Sequence, residues 1–336
     1  MKKMLLVIMF FFFVCPAYAS EQLIIEPEMG RAPLLSAINN SQSSIDIVLY
    51  GLTDEDFIHA LTSSKQQGKK VRVLLESNPY LSTEENQPAI RQLKKADIAT
   101  EANKHSFQLI HQKTFILDDK NAIVMTCNLT HGTFTNERNF ALVITDPAMV
   151  QEISQVFNAD WQGNTVSLQH NNLIWSPDNS RRKLLHFIHD AQSSIKIYAQ
   201  NITDYKMKGA LVKAAKSGIS VQVILPDTEK NNPHLDYLRN AGVQLRFSPY
   251  LIHAKVIVVD QHRAILGSMN FTKAGIDRNR ELSVITDEPQ VIQPLNNTFE
   301  QDWQKSSIHN GIFSNVPHFP YSFMQHFKQL KQQWLA

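Results

Sequence analysis

The sequence is poor in cysteine, and this shortage excludes a fold held together by disulfides. Its 336 residues contain two cysteines, Cys15 and Cys127. The first lies in an N-terminal segment that is expected to be removed, so Cys127 is left without an internal partner. Such a chain must derive its stability from a hydrophobic core, and its length is enough for one large or two medium-sized domains.

Long apolar runs are also missing, apart from a short one at the N-terminus. Lys2 and Lys3 precede an apolar stretch over residues 4–14, and small residues follow it at Ala17 and Ala19. A helix that spans a bilayer needs about 20 apolar residues, so this stretch has the pattern of a secretory signal peptide instead. The sequence predicts a signal peptide over residues 1–19 and an exported protein that is periplasmic or secreted.

Net charge is absent from the processed chain. The full sequence has 33 Lys and Arg against 31 Asp and Glu, and the loss of two N-terminal lysines makes the numbers equal. Proteins that bind nucleic acid without sequence preference usually carry a basic excess, because they gain affinity by neutralising phosphates. Neutrality therefore disfavours a nonspecific nucleic-acid binder without excluding one.

The sequence contains a long internal repeat. The segment LSAINNSQSSIDI, at residues 35–47, recurs as LHFIHDAQSSIKI at residues 185–197, an offset of 150. Further along the chain the offset falls to 142, which carries Asp160 and Trp161 onto Asp302 and Trp303. Two copies at so long a period indicate the duplication of a whole domain rather than a solenoid of short units.

Each copy predicts alternating helices and strands, and therefore an α/β fold class. Asp54 and Asp204 are placed to cap helix N-termini, and Gly68 and Gly218 to end those helices in a left-handed conformation. Short β-rich runs at residues 114–117, 122–125 and 140–144 are echoed at residues 256–259, 264–266 and 282–285. We expect these runs to form adjacent central strands.

These patterns divide the chain after the signal peptide into four segments. The first lobe covers residues 20–162 and the second covers residues 181–310. Residues 163–180 between them are polar, contain Gly163 and Pro177, and are predicted to be a linker. Residues 311–336 carry aromatic residues at helical spacing. This aromatic amphipathic segment is expected to pack on its own domain, with attachment to a membrane surface as the alternative.

One motif occurs in both halves at the same spacing. In the second half it reads HxK, four residues, D, six residues, GSxN, and comprises His253, Lys255, Asp260, Ser268 and Asn270. The first half repeats it with a Met-Thr pair in place of Gly-Ser, as His111, Lys113, Asp118, Thr126 and Asn128. The two motifs resemble the signature of the phospholipase D superfamily. The resemblance implies two tandem lobes of that type, each a mixed, largely parallel sheet flanked by helices, packed as a pseudo-twofold dimer within a monomer.

These residue types suit a phosphate group. Residues two apart on a strand point to the same face, so each His–Lys pair projects together. Lys113 and Lys255 offer positive charge to phosphate oxygens, and the amides of Asn128 and Asn270 can donate hydrogen bonds to the same group. Such donors stabilise the charge that develops on the phosphoryl oxygens. The motif therefore predicts phosphodiester chemistry that requires no metal and no other cofactor.

The resemblance also implies a covalent phosphohistidine, which water or an alcohol then attacks. By the same resemblance His111 is the nucleophile, and His253 is the general acid and then the base. The family uses an acidic residue to contact a catalytic imidazole, and Glu281 lies 28 residues after His253. If each such residue meets the histidine of its own half, Glu281 raises the pKa of His253, whereas Asn139 leaves His111 neutral.

The other members of the motif are assigned supporting roles within the catalytic set. Asp118 and Asp260 are expected to orient the motif through hydrogen bonds rather than to transfer protons. Thr126 and Ser268 are expected to hold the loop that binds the phosphate. Cys127 invites interpretation as a thiol nucleophile, but a small side chain that fills space at a strand end is favoured.

Three functions are compatible with this site. The leading prediction is a phospholipase D-type phosphodiesterase that hydrolyses or transfers the phosphatidyl group of a phospholipid substrate, with a membrane surface as a possible place of action. The alternative is an exported nonspecific endonuclease with nucleic acid as substrate, which the neutral charge disfavours. The second alternative is a cardiolipin synthase-like phosphatidyl transferase, although such proteins usually carry N-terminal membrane helices. A non-enzymatic scaffold would be expected to have lost a histidine or a lysine, and both pairs are present.

Overall fold

The computed structural model describes residues 21–77, 79 and 85–308. The predicted signal peptide and the aromatic amphipathic segment lie outside these residues. The described chain forms two lobes that follow one another in sequence and repeat the same order of elements.

The first lobe alternates strands and helices and then ends in a hairpin, a further strand and a long helix. Its elements are β1 (Gln22–Glu26), α1 (Ala32–Asn40), β2 (Ser44–Leu49), α2 (Glu55–Gln66), β3 (Lys70–Leu75), α3 (Gln87–Lys95), β4 (Ala99–Glu101), β5 (Thr114–Leu117), β6 (Asn121–Met125), β7 (Glu137–Ile144) and α4 (Pro147–Gln162).

The second lobe follows the same plan with small additions. Its elements are β8 (Leu173–Ser176), α5 (Ser180–His189), β9 (Ser194–Tyr198), α6 (Tyr205–Lys216), β10 (Ser220–Pro226), α7 (Asp236–Arg239), β11 (Gln244–Ser248), β12 (Leu251–Ile252), β13 (Val256–Val259), β14 (Arg263–Gly267), α8 (Lys273–Asp277), β15 (Glu281–Thr286), α9 (Pro289–Lys305) and β16 (Ser307–Ile308).

Each lobe contributes one sheet. In the first the strand order is β1-β7-β6-β5-β2-β3-β4, and β12 of the second lobe pairs with β7. In the second the order is β16-β11-β10-β9-β13-β14-β15-β8. The sheets are mixed, as predicted, but antiparallel pairs outnumber parallel ones in both. Short turns join β5 to β6 and β13 to β14, and such turns link only antiparallel neighbours.

Hydrophobic residues cover both faces of each sheet. Along β2, Ile45, Ile47 and Leu49 pack with the helices α1 to α3, whereas Val48 points the other way. The inner faces of the two sheets, together with α4 and α9, share one cluster that crosses the lobe boundary. The outer face of the second sheet packs on its own helices. The lobes are thus joined by a common core, with the strands of the repeated motif at its centre.

The boundary between the lobes differs from the sequence prediction. β8 lies inside the predicted linker of residues 163–180, pairs with β15 and belongs to the second sheet. The prediction overlooked the start of the repeat, because Leu23, Ile24 and Pro27 recur at the 150-residue offset within the polar segment. The connection between α4 and β8 is therefore limited to residues 163–172.

The predicted helix ends are confirmed. Asp54 accepts a hydrogen bond from the N–H of Asp56 at 3.2 Å, and Asp204 accepts one from Met207 at 2.9 Å. Gly68 and Gly218 both adopt a φ of +87°, which favours glycine at the end of a helix. Across the described ranges, no helix has both the length and the apolar character that crossing a membrane requires.

Candidate active site

The two His–Lys pairs lie directly before the central antiparallel strands. His111 and Lys113 precede β5, and His253 and Lys255 precede β13. All four side chains are buried. The ammonium group of Lys113 donates to the carbonyl oxygen of His111 at 2.8 Å, and that of Lys255 donates to the carbonyl oxygen of His253. Each lysine is thereby fixed beside its own histidine.

Each histidine segment is held by the opposite lobe. The N–H of His111 donates to the carbonyl oxygen of Arg280 at 3.0 Å. The N–H groups of His253 and Ala254 donate to the carbonyl oxygen of Arg138 at 3.2 and 3.0 Å. Lys255 also lies 3.5 Å from the carbonyl oxygen of Thr126 in the first lobe. These bonds bring the two motifs into one shared site.

The side chains of the same two arginines clamp the lobes together. Arg138 donates to Asp302 from Nε and Nη2 at 2.7 and 3.0 Å, and Arg280 donates to Asp160 at 2.7 and 2.9 Å. All four residues are buried, and each pair joins one lobe to the other. These clamps were not predicted from the sequence, although both the arginines and the aspartates recur at the 142-residue offset.

The imidazoles of His111 and His253 have different partners. His111 Nδ1 lies 2.8 Å from Oε2 of Glu281, and His253 Nδ1 lies 3.2 Å from Oδ1 of Asn139. The prediction that Glu281 acts on the histidine of its own half is therefore wrong. β7 and β15 each begin at the other lobe's histidine, so the partner residues cross the lobe boundary. The carboxylate acts on His111 and the neutral amide on His253.

Burial and neighbouring charge govern the titration of both histidines. Burial lowers the pKa of His111 to about 4, against the opposing effect of Glu281 and with a further lowering by Lys113. Burial also lowers the pKa of His253 well below its usual range, and Lys255, Lys113 and His111 lower it further. Both imidazoles are thus neutral at pH 7 in the free protein.

The lysines are similarly affected. Burial lowers the pKa of Lys113 to about 8, and burial together with Lys113 lowers the pKa of Lys255 well below its usual range. Two ammonium groups in one buried site repel each other until an anion lies between them. The site is therefore built to receive negative charge.

Asp118 and Asp260 do not join this cluster. Asp118 follows β5 and Asp260 follows β13. Each accepts hydrogen bonds from backbone N–H groups at the start of the neighbouring strand in its sheet, which is β2 for Asp118 and β9 for Asp260. For Asp118 the donors are the N–H groups of Gln42, Ser43 and Ser44 at 2.6–2.9 Å. Asp260 accepts the same set from residues 192–194. Although both were included in the predicted catalytic set, the structure places them in a scaffold at the far end of the strands.

Thr126 and Ser268 hold the strands that follow them. The hydroxyl of Ser268 bonds to both backbone groups of Leu282. Thr126 accepts from the N–H of Phe140 at 2.9 Å and donates to Asn139 Oδ1 at 2.8 Å. Neither hydroxyl is left over for a phosphate group in this arrangement, and Thr126 instead positions the partner of His253.

Asn128 and Asn270 lie at matching positions beyond β6 and β14. Their side-chain oxygens are buried and have no hydrogen-bond partner among the described residues. Asn128 packs so closely on Gly51 that a Cβ there would lie 3.2 Å from its Cγ. An amide can exchange its oxygen and NH₂ ends by rotation, so both residues can present NH₂ donors to a phosphate group, and their phosphate-binding role stays a prediction.

Three further residues of the site were not anticipated in these roles. Tyr50 packs edge-on against the ring of His111, with centroids 4.8 Å apart, and lies 5.4 Å from the ammonium of Lys113. Glu137 accepts a hydrogen bond from Asn139, the partner of His253, and Asn279 donates one to Glu281, the partner of His111.

Burial raises the pKa of the Cys127 thiol to about 12, which suits a space-filling residue rather than a nucleophile. Among the residues that the structure describes, no group of three or more His, Cys, Asp or Glu side chains could hold a metal ion.

Comparison with known proteins agrees with this arrangement. A family model described as "Cardiolipin synthase, PLD-like domain" matches residues 34–161 and 184–303. The minor cardiolipin synthase ClsB of Bacillus subtilis is 22% identical over 320 residues, which cover 82% of this chain and 79% of that protein. The mitochondrial cardiolipin hydrolase of Danio rerio is 27% identical over 136 residues, covering 38% of this chain and 59% of that protein.

Among solved structures, the phosphatidylserine synthase of Haemophilus influenzae has a similar fold. It superposes with a TM-score of 0.69 at 14% identity and covers 94% of both chains. The family match falls on both lobes and spans most of the sequence. The chain therefore belongs to the phospholipase D superfamily of phosphodiesterases and phosphatidyl transferases.

Proposed function

We propose that this protein cleaves the phosphodiester of a glycerophospholipid and passes the phosphatidyl group to water or an alcohol through a phosphohistidine. The observation that carries this proposal is the meeting of two buried His–Lys pairs across the lobe interface. One imidazole can attack phosphorus while the other serves the leaving group, and the two ammonium groups flank the phosphate.

His111 is the nucleophile in this proposal, for a reason that differs from the sequence argument. Glu281 accepts the Nδ1–H of His111, so the lone pair of Nε2 is free for the phosphorus atom. A neutral ring is required for attack, and burial supplies it. When Nε2 bonds to phosphorus the ring becomes cationic, and the carboxylate then stabilises it.

His253 acts as the general acid and then as the general base in this proposal. As the bond from phosphorus to the leaving alcohol breaks, the Nε2–H of His253 passes its proton to the departing oxygen. Burial is the main cause of the low pKa of His253 in the free protein, and the lysine charges lower it further. The anionic substrate offsets those charges and so raises the pKa, and the ring takes up on Nε2 the proton that it later donates. In the second half-reaction His253 accepts the proton of the incoming water or alcohol, and His111 is released.

The lipid assignment rests on the named activities of the relatives. The match to a cardiolipin synthase extends over 79% of that protein, which supports transfer of the phosphatidyl group to a second alcohol. The shorter match to a cardiolipin hydrolase supports attack by water. The equal numbers of acidic and basic residues left after signal-peptide removal make a nonspecific nuclease the less favoured function.

A direct test offers the purified protein three substrates with EDTA present: phosphatidylglycerol vesicles, phosphatidylcholine vesicles and single-stranded DNA. Cardiolipin with released glycerol would identify transfer, and phosphatidate would identify hydrolysis. Degradation of DNA without lipid turnover would select the nuclease. Denaturing quench at alkaline pH, which preserves the acid-labile P–N bond, followed by peptide mapping with ³²P-labelled lipid should find the label on His111, and label on His253 would reverse the two roles.

We further propose that the protein is exported. The support is the pattern of Lys2 and Lys3, the apolar stretch and the small residues at Ala17 and Ala19. N-terminal sequencing of the protein from cell fractions should find Ser20 first in the exported fraction. An intact N-terminus on cytoplasmic protein would contradict this expectation.

A further inference from the structure

The tripeptides that supply the histidine partners are reversed between the lobes. The first lobe reads Glu137-Arg138-Asn139 at the start of β7, and the second reads Asn279-Arg280-Glu281 at the start of β15. The central arginine is the same in both and forms the same clamp. The carboxylate and the amide on either side of it have exchanged positions.

In the second lobe the carboxylate is the group that contacts the histidine. Glu281 contacts His111 directly at 2.8 Å, and the side-chain amide of Asn279 donates to Oε1 of Glu281 at 3.3 Å from behind. The ring of His111 therefore faces a negative charge.

In the first lobe the amide contacts the histidine, and the carboxylate contacts the amide. Asn139 Oδ1 contacts His253, and Asn139 Nδ2 donates to Oε2 of Glu137 at 3.1 Å. The same carboxylate oxygen lies 3.9 Å from Nδ1 of His253, too far for a hydrogen bond. Glu137 is mostly buried, so its contacts are made inside the site.

These contacts fix the orientation of the Asn139 amide. A carboxylate only accepts, so the group that faces Glu137 must be the donating NH₂. The hydroxyl of Thr126 already accepts from Phe140, and its own hydrogen points to Asn139 Oδ1. The oxygen of the amide is thus turned toward His253, whose Nδ1 must be the donor, and Nε2 is left to face the site.

We propose that Glu137 is a positioning residue that acts on His253 through Asn139, and that the reversed tripeptide makes the twin histidines chemically unequal. His111 faces an anion and is suited to carry the phosphoryl group. His253 faces a neutral dipole held in place by an anion and is suited to give up and recover a proton. This inference rests on the proposed phosphodiester chemistry.

The experiment compares two lipids that differ in the alcohol released. p-Nitrophenolate leaves without a proton, whereas glycerol needs one, so phosphatidyl-p-nitrophenol bypasses the general acid and phosphatidylglycerol does not. For Glu137→Leu we expect kcat/KM, which reports only the steps up to formation of the phosphohistidine, to fall at least about tenfold on phosphatidylglycerol and less than about threefold on phosphatidyl-p-nitrophenol. Glu137→Gln keeps an acceptor oxygen, so its loss should be smaller with the same selectivity.

His253→Ala and Glu281→Gln calibrate the result. The first should show the same selectivity in stronger form, and the second should slow both lipids alike, because it affects the nucleophile. Equal losses on both lipids for Glu137→Leu, or no loss, would overturn the positioning role while leaving the proposed function intact. If the unaltered protein turned over neither lipid, both proposals would fail together. Thermal melts of each variant separate misfolding from a change in the site.

Discussion

Single side chains in the site have pKa values far from those that they would have in water. Lys113 is an example, because it is fully buried and its pKa falls to about 8. Under the proposed function, a bound phosphate group would compensate for the lost hydration of such a group.

Anion binding should therefore weaken in mildly alkaline solution. Tungstate, a phosphate analogue whose charge is constant in this range, should bind about tenfold more weakly for each pH unit above about 8, as Lys113 loses its proton. Isothermal titration calorimetry from pH 6 to 10 measures this. Lys113→Arg keeps its charge and should remove this loss of affinity, whereas constant affinity of the original protein up to pH 10 would show that Lys113 titrates normally.

The aspartates of the two motifs are expected to stabilise the fold without serving the reaction. Burial alone would raise the pKa of Asp118, but hydrogen bonds from Ser44, Gln42 and Ser43 outweigh it and lower the pKa to about 2. The folded pKa lies below the unfolded value, so this stabilisation is present above pH 4 and is lost as pH falls toward 2.

Asp118→Asn should lower the free energy of unfolding by about 1 kcal/mol at pH 7, a figure reduced for the exposure of this turn. Its kcat/KM should stay within about threefold of the original protein's. Urea melts at pH 7 and pH 3 measure the first effect, which should shrink at the lower pH. A thousandfold loss of activity in a fully folded variant would return Asp118 to the catalytic set.

At the scale of elements, local signals predicted much of the fold. The alternating runs gave the central strands close to their observed bounds, and Asp54 and Gly68 marked the ends of α2. The start of β8 was missed because its short apolar run lies among polar and turn-forming residues. The pairing of β12 with β7 could not be predicted, since it joins strands of different lobes and has no local sequence signal.

The cross-lobe clamps should contribute strongly to stability. Asp302 is fully buried and accepts from Arg138 and from the hydroxyl of Tyr198, so Asp302→Asn leaves a buried guanidinium without its buried partner charge. We expect a loss of roughly 3 kcal/mol in the free energy of unfolding. Glu28 binds the same arginine but is 55% exposed, so Glu28→Gln is the matched control and should cost under about 1 kcal/mol. Equal losses in denaturant melts would contradict this ranking.

At the scale of the whole molecule, duplication supplies a site that neither lobe completes alone. The repeated motif in the sequence was enough to predict that two histidines and two lysines meet in one shared site. The sequence could not assign their partners, because the conditional expectation for Glu281 treated each lobe as self-contained. Residues 137–139 and 279–281 lie at strand ends that cross the interface, so the assignment depends on how the lobes dock.

A residue that the proposed function requires, Lys113, also lowers the stability of the fold. The folded pKa of Lys113 lies below its unfolded value of about 10.5, so its cost to the fold is fully present below pH 8 and disappears as pH rises to 10.5. Lys113→Met removes that cost but loses the bond to the His111 carbonyl, and we expect a net gain of about 2 kcal/mol in the free energy of unfolding at pH 7. Calorimetric melts with and without tungstate give the test. The original protein should be stabilised by tungstate and the variant should not, because bound anion and deleted charge relieve the same repulsion. A destabilised variant that still gains from tungstate would mean that Lys113 serves packing rather than the anion.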